Sequence, residues 1–360
     1  ASRFDTRSVN TLLPSKFFQS NLQGYAAGRA AAGCRGKGGK SLVMKVPAVA
    51  ANLGPGFDSV ALALSIYSQV TVEILPHPDA TIPMVQLSGA IRTASDASAI
   101  GNLVYTLLSK ICLSRRHLLQ HLKILVESDL PLNRGLGVSD GIILAALYAV
   151  NSIEDLILGQ ADLLSQSIAL EVRAESAAAA LLGDLVISAE SPQHRKVFTQ
   201  QLYWPPVWHL FCVIPPYSLD TIKMRALIPP MLPTASVIHN LQRLSIFLAS
   251  VNNCNDQALK EGLIDHIHEP YRRHRVPELD SLSAHLKDFP ILGCVLSGAG
   301  PAVLIIYHVR HKQMVRAEIE KWMSARSSSY TLLDLQVERQ GMLELSGSSN
   351  KGKHDKSHRL

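Results

Sequence analysis

The chain has 360 residues, 47% of them hydrophobic and 18% charged, a globular composition sized for one large domain or two ordinary ones. Its formal charge of +6 lies at the ends: residues 1–40 carry seven cations against Asp5, the last ten carry four against Asp355, and 41–350 sum to −3. A mildly acidic body with 6% aromatics lacks the basic face and stacking platform of a nucleic-acid binder, and no apolar run is long enough to span a bilayer.

Residues 1–41, rich in Ala, Gly, Ser and Arg, read as a basic extension with the character of an organelle transit peptide. A plastid or other organelle, or the cytoplasm, is the expected compartment. Periodicity starts at Ser41. Val43–Pro47 and Ser68–Leu75 read as strands, with a Gly/Pro-punctuated loop and the apolar run Val60–Leu64 between them. Asn102–Leu113 has helical spacing, His121–Glu127 is strand-like, Gly141–Asn151 is an apolar helix, and one further helix is expected over Ala161–Leu182. A second series follows: strand Trp208–Ile214, helix Val237–Val251, and strands Ile291–Leu296 and Ala302–Tyr307. The expected division is 42–203 and 204–342, with a disordered tail over 343–360. Five cysteines (Cys34, Cys112, Cys212, Cys254, Cys294) without paired spacing suggest reduced thiols and no zinc site.

Three glycine-bearing loops punctuate this series. Pro47–Asp58 contains Asn-Leu-Gly-Pro-Gly-Phe-Asp, in which Gly54 and Gly56 permit a tight turn and Asn52 and Asp58 present polar groups. Pro131–Leu144 runs from glycines into a helix start, where backbone N–H groups and the helix dipole suit phosphate. Without a following Lys it is not the GxxxxGK[ST] loop. Read alone, Ser139 and Asp140 are helix caps. Leu296–Leu304, with Ser-Gly-Ala-Gly-Pro, joins two apolar strands.

In this order the loops resemble the three motifs of the GHMP kinases, and PAxxANLGPGFD most resembles the homoserine kinases among them. Thr221–Pro229, His239–Arg243 and His268–Arg272 resemble further segments of that group, closest to its fungal type. The resemblance covers about 43 to 308. It implies an α+β fold with a ribosomal-protein-like first domain carrying a left-handed βαβ unit and a ferredoxin-like second domain. It also implies an ATP- and Mg²⁺-dependent transfer of phosphate to the L-homoserine hydroxyl. A homodimer is left open.

The match assigns roles. Asn52 and Asp58 would bind the homoserine amino and hydroxyl groups, and Arg225 and Arg272 its carboxylate, with Thr221 nearby. Asn102 would contact the adenine side. Pro131, Arg134, Gly135, Leu136 and Gly137 would form the phosphate loop, closed by Ser297, Gly298, Ala299 and Gly300. Ser139 and Glu171 would hold Mg²⁺.

The pattern also breaks. Where the group has GLGSSAA, this chain has Val138 and Asp140. Where it has ExHPDN, this chain keeps Glu171 but carries Arg173, Ala174, Glu175 and Ser176, and Asp184 replaces a later Gly. An unpaired carboxylate at 140 would repel a triphosphate by about 4 kcal/mol at 4 Å and an effective dielectric of 20. These departures motivate a second reading, a weakened or inactive relative that serves as a binding or regulatory protein.

Overall fold

The computed structural model describes residues 41–77, 85–90, 121–130, 132–153, 158–168, 172–191, 193, 196–326 and 329–345. The expected extension at 1–40, the helix at 102–113 with Asn102, and site residues Pro131 and Glu171 lie outside these residues.

The chain opens with β1 (Ser41–Ala51), β2 (Val60–Ile74), β3 (Val85–Gly89) and β4 (Leu122–Ser128). Leu42, Met44 and Val46 of β1 are buried alternately with half-exposed neighbours, the mark of a one-sided strand. From Val46 onward every residue of β1 is buried, because helices cover that half. Those helices are α1 (Val138–Ile153), α2 (Gln160–Ile168) and α3 (Ala174–Leu182), followed by β5 (Leu185–Ser191) and β6 (Lys196–Leu202).

Their sheet runs β1-β2-β4-β3, joined beyond β1 by a final strand of the chain, Leu343–Leu345, and β2 is long enough to serve two neighbours. Its residues 68–74 pair with β4, while 60–62 pair with β5, which carries β6. Strands β3 and β4 are parallel neighbours. The expected single helix over 161–182 is two. Val172 and Arg173 are not helical, and Arg173 sits extended (φ −73°, ψ 133°) ahead of α3. Neither residue is Gly or Pro, so periodicity alone gave no reason to stop.

The second half comprises β7 (Trp208–Ile214), α4 (Thr221–Arg225), α5 (Thr234–Asn253), α6 (Asp256–Gly262), α7 (Glu269–Arg272) and α8 (Pro277–Leu286). It continues with β8 (Ile291–Leu296), β9 (Val303–His308), α9 (Lys312–Ser324), β10 (Thr331–Leu335) and β11 (Leu343–Leu345). The sheet order β10-β7-β9-β8 is antiparallel throughout, the split βαβ arrangement of a ferredoxin-like domain. A separate apolar cluster joins this sheet to α8 and α9 through Phe211, Leu282, Ile319 and Trp322.

The chain then returns to the first sheet. Glu338 N–H donates to Ala63 O, and β11 pairs with β1, so residues 343–345 are a strand where a disordered tail was expected. Three residues are too few to show a period of two. The return also explains Asp184, which adopts φ 60° where the family pattern has Gly. Its carboxylate accepts the Trp204 N–H at 2.9 Å and pairs with Arg339 of the returning segment.

Candidate active site

The three glycine loops converge where the two halves meet. In the first, Asn52 and Asp58 both take left-handed φ (61° and 52°), and Asn52 Oδ1 accepts the Asp58 N–H at 2.8 Å. Asn52 is buried, so its side chain fixes the turn that projects Asp58. The second half buttresses this loop: Asn240 Nδ2 donates to Pro55 O at 3.0 Å, and His268 Nε2 lies 2.8 Å from Gly54 O.

The second and third loops are built against each other. Gly135 has φ +81°, and a Cβ there would lie 2.1 Å from Ser297 O; Gly137 has φ +62°. Only glycine reconciles that dihedral with that approach. The Ser297 hydroxyl donates to Gly135 O at 2.7 Å, Ala302 N–H to Arg134 O at 3.1 Å, and Gly298 N–H to Ala51 O at 2.8 Å. The second loop ends where α1 begins, at Val138. The N–H groups of a first helical turn have no acceptor inside the helix, and sixteen residues align behind these. The result is an anion cradle.

Charged groups face it across a cleft of about 610 Å³. Arg225 donates to both carboxylate oxygens of Asp58, from Nη1 at 2.9 Å and from Nη2, in a half-exposed bidentate pair. Arg272 is 2% exposed and donates from Nη1 to Gly298 O at 3.2 Å. Burial pulls its pKa down to about 10. Among the described residues it forms no ion pair. The Phe57 ring lies 5.2 Å from Arg272 Cζ and 5.4 Å from Arg225 Cζ, within cation–π range of both.

Two of the pattern's departures prove to be one feature. Arg173 Nη2 and Nε lie 3.0 and 3.3 Å from Asp140 Oδ2. The carboxylate that would have repelled phosphate is neutralised by the guanidinium that replaced a His. Glu175 sits behind them, 2% exposed and 3.9 Å from Arg173 Nε. Burial pushes its carboxyl up to about 7, against the pull of Arg173. Its Oε1 and the Ser176 hydroxyl are buried without hydrogen-bond partners.

Of the expected site residues, Asp58, Arg134, Gly135, Leu136, Gly137, Ser139, Thr221, Arg225 and Ala299 line this cleft. Asn52, Arg272, Ser297, Gly298 and Gly300 stand behind it as supports. Asn133, Glu175, Glu190 and Ile222 also line it and carried no site assignment. Asn133 had a signal: it takes φ 55° just before the glycines, a conformation Asn tolerates better than most residues. Among the described residues no cluster of three His, Cys, Asp or Glu could hold a metal. Cys212, Cys254 and Cys294 are free thiols.

Comparison with known proteins bears on the family and the fold. The sequence pattern of the GHMP kinases N terminal domain matches residues 102–189. The homoserine kinase of Synechocystis sp. is 30% identical over 79% of this chain and 92% of its own length. Among solved structures, homoserine kinase from Cytophaga hutchinsonii superposes with TM-score 0.69 at 20% identity, covering 85% of this chain and 97% of its own. Mevalonate diphosphate decarboxylase from Staphylococcus aureus shares the fold with TM-score 0.64 at 12% identity, over 86% of this chain and 98% of its own.

Proposed function

The chain belongs to the homoserine kinase family, and on that premise we propose that it transfers the γ-phosphoryl group of ATP to the side-chain hydroxyl of L-homoserine. The observation that carries this reading is the pair Asp58–Arg225 facing the anion cradle across one cleft. A carboxylate and a guanidinium already matched to each other are also matched to the ammonium and carboxylate of an α-amino acid. Substrate binding exchanges one internal bidentate pair for two external ones, so little charge is left unpaired in either state.

In this reading the ammonium takes Asp58 and the carboxylate takes Arg225, with Arg272 behind it. Asn52 holds Asp58 in place. The backbone of Gly135–Gly137 and the start of α1 hold the triphosphate, and Ser297–Gly300 fix the loop from the far side. Asn102 and Pro131 are assigned to the nucleotide by resemblance alone. Phosphoryl transfer asks for alignment and charge neutralisation rather than covalent help. A Mg²⁺ ion held at this wall would supply charge neutralisation at the phosphates. The cleft suits a cation that retains water, since Ser139 and Glu175, whose buried Oε1 has no hydrogen-bond partner, bring hard oxygens to its wall. Ser139 and Glu171 are the proposed protein ligands.

The inactive-relative reading rested on the departures at Val138, Asp140, Arg173 and Ser176, and the bond of Asp140 to Arg173 speaks against the one among them that would repel phosphate. Among the described residues no helix is long and apolar enough to cross a membrane. The acid-poor composition of 1–41 supports a targeting leader, which a fluorescent fusion of those residues would test.

The functional test is ADP release by the purified protein with Mg-ATP. It should depend on L-homoserine and vanish with analogues lacking either the amino or the carboxylate group. Release independent of both groups would overturn the assignment.

A further inference from the structure

The Asp140–Arg173 pair has a consequence for the chemistry. We propose that Arg173 is a catalytic residue whose guanidinium contacts the phosphoryl group in flight, and that Asp140 is the positioning residue that aims it. This rests on the kinase reading above.

Arg173 immediately precedes α3 but makes no cap hydrogen bond with its side chain, so it is not there to finish the helix. Its Nε and one Nη2 proton are directed at a single oxygen, Asp140 Oδ2, which comes from the first turn of α1 and lies 33 positions earlier in the chain. Both Nη1 protons and the second Nη2 proton meet no acceptor among the described residues. The side chain is 25% exposed and lines the cleft. Five planar donors tied down at one edge leave a fixed fork at the other.

No other cation in the described cleft is placed this way. Arg225 is bidentate on Asp58, Arg272 is buried behind the third loop, and Arg134 turns its Nη2 to Pro216 O. Arg173 therefore faces the end of the anion cradle with donors to spare. Asp140 engages it at a site where an unpaired carboxylate would oppose phosphate. Glu175, at 3.9 Å, adds negative character behind the guanidinium without taking up its donors.

In the transfer, the substrate hydroxyl oxygen forms the new P–O bond while the bond from γ-phosphorus to the bridging oxygen breaks. The bridging electron pair leaves on ADP, and the hydroxyl proton passes to solvent. Arg173 exchanges no atoms. It neutralises charge spread over the equatorial phosphoryl oxygens, the contribution that preorganised donors make.

The test compares Arg173→Gln/Asp140→Asn, which removes both charges together and leaves none unpaired, with Arg173→Ala. In the double variant kcat should fall about 100-fold, with the KM for L-homoserine within about threefold of the parent. Added guanidinium ion should recover part of the rate in Arg173→Ala. By calorimetry, the double variant should bind a non-hydrolysable ATP analogue about tenfold more weakly and ADP unchanged. A double variant within about threefold of the parent kcat would overturn the proposal. So would equal losses for the ATP analogue and ADP without guanidinium rescue, the signature of a structural pair. Should the parent protein release no homoserine-dependent ADP, the kinase reading fails, and the ATP-over-ADP comparison still judges Arg173.

Discussion

Asp58→Asn separates substrate binding from folding more sharply than any other change in the cleft. In the free protein the substitution weakens the pair with Arg225, whose side chains are 58% and 33% exposed for Arg225 and Asp58. A pair so open to water contributes about 0.2–1 kcal/mol. Thermal stability should therefore drop by no more than about 4 °C. With substrate bound the account differs. In the proposed reading Asp58 holds the substrate ammonium, and losing a charge-assisted hydrogen bond costs about 1.5–3 kcal/mol. At about 1.4 kcal/mol per decade, kcat/KM for L-homoserine should fall roughly 10- to 150-fold. The proposed nucleotide site is on the other wall, so the affinity for Mg-ATP should stay within about twofold. Coupled ADP-release kinetics, nucleotide titration and thermal unfolding on one preparation give all three quantities. A loss of more than about 10 °C with kcat/KM changed less than threefold would mean that Asp58 is a structural residue, and the reasoning would be wrong.

Other changes test the scaffold. Gly135→Ala places a Cβ against Ser297 O and holds Ala at φ +81°. It should cost at least about 2 kcal/mol and weaken nucleotide binding, measured by denaturant unfolding and ATP titration. Asp184→Gly restores the family residue and relieves φ 60°, yet it deletes the bonds to Trp204 N–H and Arg339. The net effect should be a loss of about 1–2 kcal/mol with kcat unchanged. Glu269 is wholly buried, accepts the Leu296 N–H, and burial raises its carboxyl from 4.5 to about 8. Its folded form holds the proton that the unfolded form has already lost, so its stability contribution is complete below pH 4.5 and disappears as pH rises through about 8. Melting temperature should fall between pH 5 and 8, and Glu269→Gln should flatten that decline; an equally steep variant would remove Glu269 as the cause.

What could be read from the sequence follows the range over which each feature acts. The strand around Val43–Pro47, the helix around Gly141–Asn151 and the β8–β9 hairpin declare themselves within a dozen residues, and each was visible. The break at Val172–Arg173 was not, because Leu163, Leu164, Ala177 and Leu181 bury one continuous apolar series on either side of it. Strand β11 was hidden by its brevity, and its place was set only by the partner edge of β1.

In the site, motif spacing picked out the three loops that converge in the fold, and Arg225, which lines the cleft between them. It did not show that Asp140 and Arg173 pair, because they appeared as two separate faults. They are 33 residues apart and meet only once α1 and α3 pack on the sheet. A charge pair of that span leaves no local pattern. Asn52 shows the converse: its position in the motif was legible, but its burial under the Asp58 turn needed the fold.

The most direct measurement is ³¹P NMR of the purified, folded protein with ATP, Mg²⁺ and L-homoserine. The account predicts that the γ-phosphate signal is replaced by that of a phosphate monoester, O-phosphohomoserine, in step with ADP. Unchanged ATP, or ADP accompanied only by inorganic phosphate, from protein that binds the nucleotide would contradict it.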